Sequence, residues 1–419
     1  MHILFVCGKL PVPATNGQAI RSLSMVQALA STDHELVLVS PVAQNEAVEL
    51  GPLSAWCREI VVVPQRLINM SRGQDYTGRL TSLARFRSYA IERFRSPQLR
   101  ERLESCLKRE RFDVIIIDGL YSLVNLPGTE VPFVLNCHNI EHLIFDRYVE
   151  LEKNAAKRWY ARVEARWIKR EEKVACQRAT AAMVCSELDR SLLRTLNPNL
   201  RVFVAPNTVD TDIYVPVDTG DDMPQQGNPI LLYLGSMDWY PNRDAVEFFA
   251  SEILPKIRQE IPGVRFTVAG RNPARDFVDR FAGVPGMEFT GTVPDIRPYL
   301  SAAAVVVVPL RLGSGTRIKI LEASAAGRPV VSTRLGAEGL DLTAGKEILL
   351  ADQPTEFSRA VLMLLRDPQR RRGLARSARE KVVQNYSHLA LQGAVQETLA
   401  CIQEGANREV GSGAVGGDR

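Results

Sequence analysis

The chain has 419 residues, 45% hydrophobic and 24% charged, with 28 Gly, 24 Pro and a formal net charge of +4. At about 150 residues per domain this length predicts two or three domains. Both fractions are ordinary for globular chains, which excludes disordered, collagen-like and coiled-coil classes, and no apolar run reaches the roughly 20 residues that a membrane-spanning helix needs.

The opening residues, Met1 to Gly8, show no basic leader and no signal-peptide core. The 7 cysteines are scattered and form no C-x-x-C pair, which fits buried thiols in a reducing compartment better than a disulfide frame or a zinc knuckle. The expectation is a soluble, cytoplasmic, multi-domain protein.

Along the chain, short β-rich runs alternate with helical stretches. The first half carries predicted strands at Ile3–Cys7, Glu35–Ser40, Glu59–Pro64, Asp113–Asp118, Pro132–Cys137, Ala181–Cys185 and Val202–Ala205. The second carries them at Ile230–Gly235, Arg265–Gly270, Met287–Thr290, Val305–Pro309, Pro329–Thr333 and Glu347–Leu350. Most of these runs are continuously apolar, as in parallel strands covered on both faces. Strand, helix, strand repeated in this way predicts an α/β protein of two doubly wound, Rossmann-like domains. Residues 1–214 form the first and 230–386 the second. The Pro, Gly and acidic stretch 215–229 has no apolar period and reads as a linker. The Gly-rich residues 405–419 have little to bury and are predicted to be disordered. Ligands of open α/β sheets sit at the carboxyl ends of strands, so a cleft between facing domains is the default site.

The charge is uneven. Arg66–Arg111 holds 12 basic residues against 5 acidic ones, interleaved with Leu80, Leu83, Phe86, Tyr89, Ile91 and Phe94. Lys153–Arg178 is a second basic stretch, with Trp159, Tyr160 and Trp167. Two readings stand: a solvated helix face with ordinary core aromatics, or attachment to an anionic membrane surface through Arg66–Arg111. Neither half has the domain-wide basic excess of a nucleic-acid binder.

The segment most able to carry chemistry is Pro309–Thr333, PLRLGSGTRIKILEASAAGRPVVST. A strand feeds a Gly/Ser loop, then a helix predicted from about Thr316 to Ala326, then another strand. Gly313 and Gly315 permit close backbone approach, and free N–H groups with the helix dipole favour a phosphate there. Arg317 and Lys319 add cations. Glu322, three residues on from Lys319, could accept both hydroxyls of a ribose, or simply pair with Lys319 on the helix surface.

Taken in order, these segments resemble the GT-B glycosyltransferases, specifically the retaining family-four group of nucleotide-sugar transferases. The matching pieces are Asn16-Gly17, Cys137-His138-Asn139, Pro206-Asn207-Thr208-Val209-Asp210, Leu232-Tyr233-Leu234-Gly235, Val268-Ala269-Gly270, Phe289-Thr290-Gly291, Ile320-Leu321-Glu322-Ala323 and Gly327-Arg328-Pro329-Val330-Val331. Met237-Asp238-Trp239 with Pro241-Asn242, and Gly313-Ser314-Gly315-Thr316-Arg317, further resemble a subgroup linked to bacterial polysaccharide assembly.

The resemblance implies that Glu322 holds the nucleotide ribose and that Gly17 lets the backbone approach the donor diphosphate. It implies that His138 contacts the donor sugar near the reacting centre and that Glu338 meets donor sugar or phosphate. Gly315 and Thr316 fall in the donor loop. A helix over 387–404 is implied to cross back to the first domain. This sequence also departs from the pattern. Ser314 stands where the family has a second glutamate, and Gly235 is followed by Ser236-Met237-Asp238-Trp239 in place of the usual diphosphate-gripping Arg and Lys. Arg317 and Lys319 are expected to replace that grip.

Two motifs compete for attention. His138-Asn139-Ile140-Glu141-His142 matches the H-x-x-E-H zinc signature, but His138 directly follows an apolar run and is expected to end a strand. Asp210-Thr211-Asp212 looks like a metal-binding D-x-D, yet Asp at a domain edge is equally a turn former. No G-x-G-x-x-G follows a predicted strand, and no P-loop or nucleophile elbow is present.

The function expected is transfer of a sugar, with retention and without a metal or cofactor, from a nucleotide-diphosphate donor to a glycan, lipid-linked or other hydroxyl acceptor. The place is the cytoplasm or the inner face of the membrane. A nucleotide-sugar epimerase of the same fold, or a non-catalytic nucleotide-sugar-binding subunit, are the alternatives.

Overall fold

The computed structural model describes residues 1–32, 34–44, 48–65, 72–216, 228–271 and 273–413, with the side chains of 72–76 and 406–413 excepted. Two compact units divide the chain: Met1–Pro206 together with the chain from Leu391 onward, and Asn207–Ala390.

The first unit contains β1 (His2–Cys7), β2 (Glu35–Ala43), β3 (Glu59–Gln65), β4 (Val114–Asp118), β5 (Phe133–Asn136), β6 (Ala181–Val184) and β7 (Arg201–Val204), in the order β3-β2-β1-β4-β5-β6-β7. Every adjacent pair is parallel. Alternation along the strands sorts two cores. Leu4, Val6, Ile115 and Ile117 pack on one face with Leu99, Leu103, Ile168 and Cys176. Ile3, Phe5, Val114 and Ile116 pack on the other with Met25 and Leu29. The period of two that sends neighbours to opposite faces is thus preserved although both faces are buried.

Leu391, Val395, Leu399 and Ile402 belong to that second core. They recur about every four residues along the helix His388–Gly413, which gives it one apolar stripe. The helix continues beyond Glu404, into residues where Gly-rich composition predicted no order. Residues 414–419 lie outside the described ones.

The second unit contains β8 (Ile230–Leu234), β9 (Arg265–Ala269), β10 (Met287–Gly291), β11 (Val305–Val308), β12 (Val330–Ser332) and β13 (Leu349–Leu350), in the order β10-β9-β8-β11-β12-β13 and all parallel. All four valines of β11 are fully buried. In each unit the order of strands reverses at one place, between β1 and β4 and between β8 and β11. Connections leave such a place in opposite directions and open a crevice at the strands' carboxyl ends.

The boundary between units falls at Pro206/Asn207, ahead of the composition break at 214/215. Packing decides this. Val209 is buried with Leu321, Ala325, Val382 and Tyr386 of the second unit, and its N–H donates to the Tyr386 carbonyl at 3.0 Å. Residues 217–227 of the expected linker lie outside the described residues. All seven cysteines are free thiols, six of them buried. Among the described residues no helix is long and apolar enough to cross a membrane.

Candidate functional site

After β11 the chain turns through Gly313–Thr316 into the helix Ile318–Ala325, with Arg317 at its N-cap. Gly313 and Gly315 have φ of 115° and 74°, values that a residue without Cβ adopts at little cost. Ser314, Thr316 and Arg317 are buried. The Arg317 guanidinium donates back to the carbonyls of Ser314 and Gly315, so it stays against the turn. Thr316 Oγ1 accepts from Asn207 Nδ2 at 2.7 Å.

Lys319 lies in the first turn of this helix. Its Nζ donates to Tyr233 Oη at 3.1 Å and to Asn242 Oδ1 at 3.0 Å, and sits 4.3 Å from the centroid of the Tyr233 ring. Tyr233 Oη donates to Asn242 Oδ1 at 2.7 Å, and Asn242 Nδ2 donates to the Ser236 carbonyl at 2.7 Å. A Cβ on Gly235, just beyond β8, would stand 2.9 Å from Lys319 Nζ. Glycine therefore leaves the ammonium room at the mouth of the crevice. Burial, with the Arg317 charge beside it, pulls the Lys319 amine down to about 7. Desolvation penalises the charged form; the hydrogen-bond partners are neutral oxygens, and the Glu322 carboxylate offsets the penalty only in part.

Glu322 follows one turn later and is 8% exposed. Its Oε1 accepts from Tyr214 Oη at 3.1 Å. Burial pushes its carboxyl up, opposed by that hydrogen bond and by Lys319. Gly315, Thr316, Arg317, Lys319 and Glu322 are thus gathered at the β8/β11 switch point. Glu338 is half-buried in the turn after β12, where its N–H donates to the Leu335 carbonyl at 3.3 Å.

Gly17 and His138 belong to the first unit. Gly17 opens the helix Gly17–Ala30, capped by Asn16 Oδ1, which accepts from Ala19 N at 3.0 Å. No acidic residue occupies the first turn. β4 ends on Asp118 and β5 on Asn136, with His138 two residues further on. His138 Nε2 lies 2.8 Å from Asp118 Oδ1, which also accepts from Asn136 Nδ2 at 2.6 Å. Ser22 Oγ donates to Asp118 Oδ2 at 2.5 Å, and Arg21 donates to Asn136 Oδ1 at 2.8 Å and to the Ala205 carbonyl at 2.9 Å. Burial alone would raise the Asp118 carboxyl, but His138, Ser22 and Asn136 together hold it below its ordinary value.

Sequence reasoning named His138 and missed Asp118, although a carboxylate ending an otherwise apolar strand was a signal. It also missed Tyr214, Tyr233 and Asn242 as site residues, because the groups that unite them are far apart in sequence. The H-x-x-E-H match dissolves in three dimensions. His138 precedes the helix Glu141–Leu151, while His142 lies within it and bonds through Nδ1 to Glu172. Asp210 Oδ1 accepts from the N–H groups of Asp212 and Ile213 at 3.0 and 3.1 Å, a closed turn.

Two open parallel sheets, each with buried polar and charged groups at its switch point, define a two-unit α/β protein. Residues 15–213 match the family described as Glycosyltransferase Family 4, and residues 228–367 match Glycosyl transferases group 1. The chain belongs to the group 1, family 4 glycosyltransferases. Lipopolysaccharide core biosynthesis glycosyltransferase LpsE of Rhizobium meliloti (strain 1021) is 33% identical over 149 residues, which are 33% of this chain and 43% of that one. The match thus spans less than half of that curated relative. Sucrose-phosphate synthase from Thermosynechococcus elongatus superposes with a TM-score of 0.72 at 18% identity, covering 97% of this chain and 99% of that one. Anabaena Alr3699/HepE in complex with UDP and glucose gives 0.63 at 14%, covering 95% and 99%. The fold is GT-B.

Proposed function

We propose that this chain transfers a sugar from a nucleotide-diphosphate donor to a hydroxyl of a glycan or lipid-linked acceptor, with retention of anomeric configuration. The observation that carries this reading is Lys319, a buried amine held by neutral oxygens at the β8/β11 switch point, one helical turn from Glu322. An arriving diphosphate would add negative charge beside Lys319, beyond the partial offset from Glu322. Its oxygens would lie over Gly315, Thr316 and the N-terminus of the helix Ile318–Ala325, with Arg317 behind the turn. Glu322 would accept the ribose hydroxyls. In this reading the backbone at Gly17 approaches the diphosphate and Glu338 contacts donor sugar or phosphate.

In the transfer, the bond between the anomeric carbon and the diphosphate oxygen breaks and its electron pair stays with the diphosphate. The acceptor oxygen bonds to the same face of the sugar, and its proton passes to the departing phosphate oxygen. Arg317, Lys319 and the helix dipole stabilise the charge growing on the leaving group without a metal, which is the largest protein contribution to such a step. His138, oriented by Asp118, positions the donor sugar. The likeness to LpsE, a lipopolysaccharide core biosynthesis glycosyltransferase, supports an acceptor in envelope polysaccharide assembly; the reading places it at the cytoplasmic face.

The basic stretch suits an anionic membrane surface. Leu80, Phe86 and Trp159 are exposed, and the Arg79 guanidinium lies 5.7 and 5.5 Å from the Tyr89 and Tyr160 ring centroids, joining their helices. Arg66 and residues 67–71 lie outside the described residues. Preference for vesicles containing anionic lipid over neutral ones is expected; equal binding to both would remove this part of the reading.

A thermal-unfolding screen against nucleotide sugars tests the donor site. At least one should raise the midpoint of the wild type clearly more than that of Lys319→Ala, since a ligand that binds only the folded state raises its stability in proportion to its affinity. Nuclear magnetic resonance of the product then reads the anomeric configuration. No response to any nucleotide sugar, or an inverted product, would contradict the proposal.

A further inference from the structure

The loop that leaves β8 ends on Trp239, whose large apolar side chain is 39% exposed, directly before the helix Tyr240–Phe248. It is the sole tryptophan of the second unit. A Cβ on Gly313 would stand 3.4 Å from Trp239 Cη2 and 2.9 Å from Arg317 Nη2, so the rim of the indole and the guanidinium both lie against the Gly313 backbone. The Trp239 backbone is tied on both sides: its N–H donates to the Ser236 carbonyl at 3.4 Å, and its carbonyl accepts from the Asn242 N–H at 3.0 Å. Asn242 is also a partner of Lys319. Further along the same helix, Asp244 accepts from Arg311 Nε and Nη2 at 3.1 and 2.7 Å. A bidentate pair fixes orientation as well as distance, and this one ties the helix to the segment leading into Gly313. A ring held in this way costs little ordering entropy when a ligand covers it.

The order of groups says what that ligand is. Glu322, Lys319 and the turn Gly313–Thr316 follow one another toward the N-terminus of the helix Ile318–Ala325 and beyond it. With a ribose at Glu322 and a diphosphate at Lys319 and the turn, the remaining part of a nucleotide sugar continues past the turn on the side of Gly313. Trp239 stands there. One face of a pyranose is a set of C–H groups, apolar and slightly positive, which suits the negative face of an indole. Binding sites of this kind join a few polar anchors to an aromatic wall.

We infer that Trp239 is a specificity-determining residue of the donor site, its indole stacking on the C–H face of the donor's pyranose; this rests on the donor-site reading proposed above. Calorimetric titration of the full chain tests it, with UDP-, GDP-, ADP- and dTDP-linked pyranoses, each beside its free nucleoside diphosphate. For a nucleotide sugar that binds the wild type, Trp239→Ala should weaken affinity about tenfold, while affinity for the matching nucleoside diphosphate stays within about twofold. Retained binding of the nucleoside diphosphate shows that the variant keeps its folded site. Trp239→Phe preserves a ring and should lose about threefold or less. Unchanged nucleotide-sugar affinity in Trp239→Ala overturns the inference. So does an equal loss for nucleoside diphosphate and nucleotide sugar, which would assign the indole to the nucleotide, or an equal loss in the Phe and Ala variants, which would deny a role to the ring. If the wild type binds none of these nucleotide sugars, the donor-site reading itself falls, and the inference with it, a result seen without any variant.

Discussion

Where the strand order of the first unit reverses, Asp118 is buried under hydrogen bonds from Ser22, Asn136 and His138. Where the order of the second unit reverses, Lys319 is buried against a tyrosine hydroxyl and an amide oxygen. Topology is the same in the two places, and the sign and satisfaction of the central charge differ. Asp118 already has its compensating donors, and its carboxyl titrates below the usual range. Lys319 has only neutral hydrogen-bond partners and a partial offset from the Glu322 charge, and its amine titrates far below the usual range, at about 7. A fully satisfied charge builds a rigid platform, here for His138. An under-compensated one is poised for a ligand of opposite sign.

Each of the following substitutions breaks or sharpens that contrast, beginning with the largest effect. His138→Ala should lower kcat by about 10²-fold or more, a typical scale for a positioned imidazole, while donor affinity stays within about threefold of wild type by titration. A loss of affinity matching the loss of kcat would move His138 out of the reacting centre. Next, Asp118→Ala strands the hydrogen-bond donors of Ser22, Asn136 and His138 in a buried place. Denaturant unfolding should show a loss of about 3 kcal/mol, and an unchanged midpoint would mean that the first-unit charge is not structural.

Lys319→Met removes the cation from the second unit, and donor affinity should fall about 10- to 100-fold, the worth of one charge-assisted hydrogen bond. Glu322→Gln keeps an acceptor for Tyr214 yet loses the carboxylate, and should cost about tenfold in donor affinity. The smallest effect is a pH slope. Below about 7 Lys319 is protonated before the diphosphate arrives. Above it the site must gain a proton on binding, so affinity should decline as pH rises, by at most about tenfold per unit. That slope should vanish in Lys319→Met. The same shift makes the folded state gain stability as pH rises from 7 toward the unfolded lysine value of 10.5, because over that window the unfolded chain holds more protons.

Continuous apolar runs such as Ile115-Ile116-Ile117 and the four valines of β11 could be read as buried parallel strands directly. Burial on both faces leaves no other use for such runs, and the Gly/Ser loop ahead of Ile318 was equally visible because glycine is needed at φ of 115° and 74°. The domain boundary was less legible. Val209 looks like any residue before a linker until it is seen against Leu321 and Tyr386. Tyr214 was invisible as a site residue, and Asp118 showed only as a carboxylate ending an apolar strand, for a related reason: their partners lie 108 and 20 residues away.

By itself, then, the sequence determined the number of strands, the two-unit α/β architecture, the helix that carries Arg317, Lys319 and Glu322, and the resemblance that named the family. These depend on local periodicity and short motifs, which neighbouring residues encode. Only the tertiary structure decided which groups neutralise one another. Whether a buried charge is fully compensated, as at Asp118, or compensated only in part, as at Lys319, depends on partners that folding brings from distant strands of the same unit into a low-dielectric crevice.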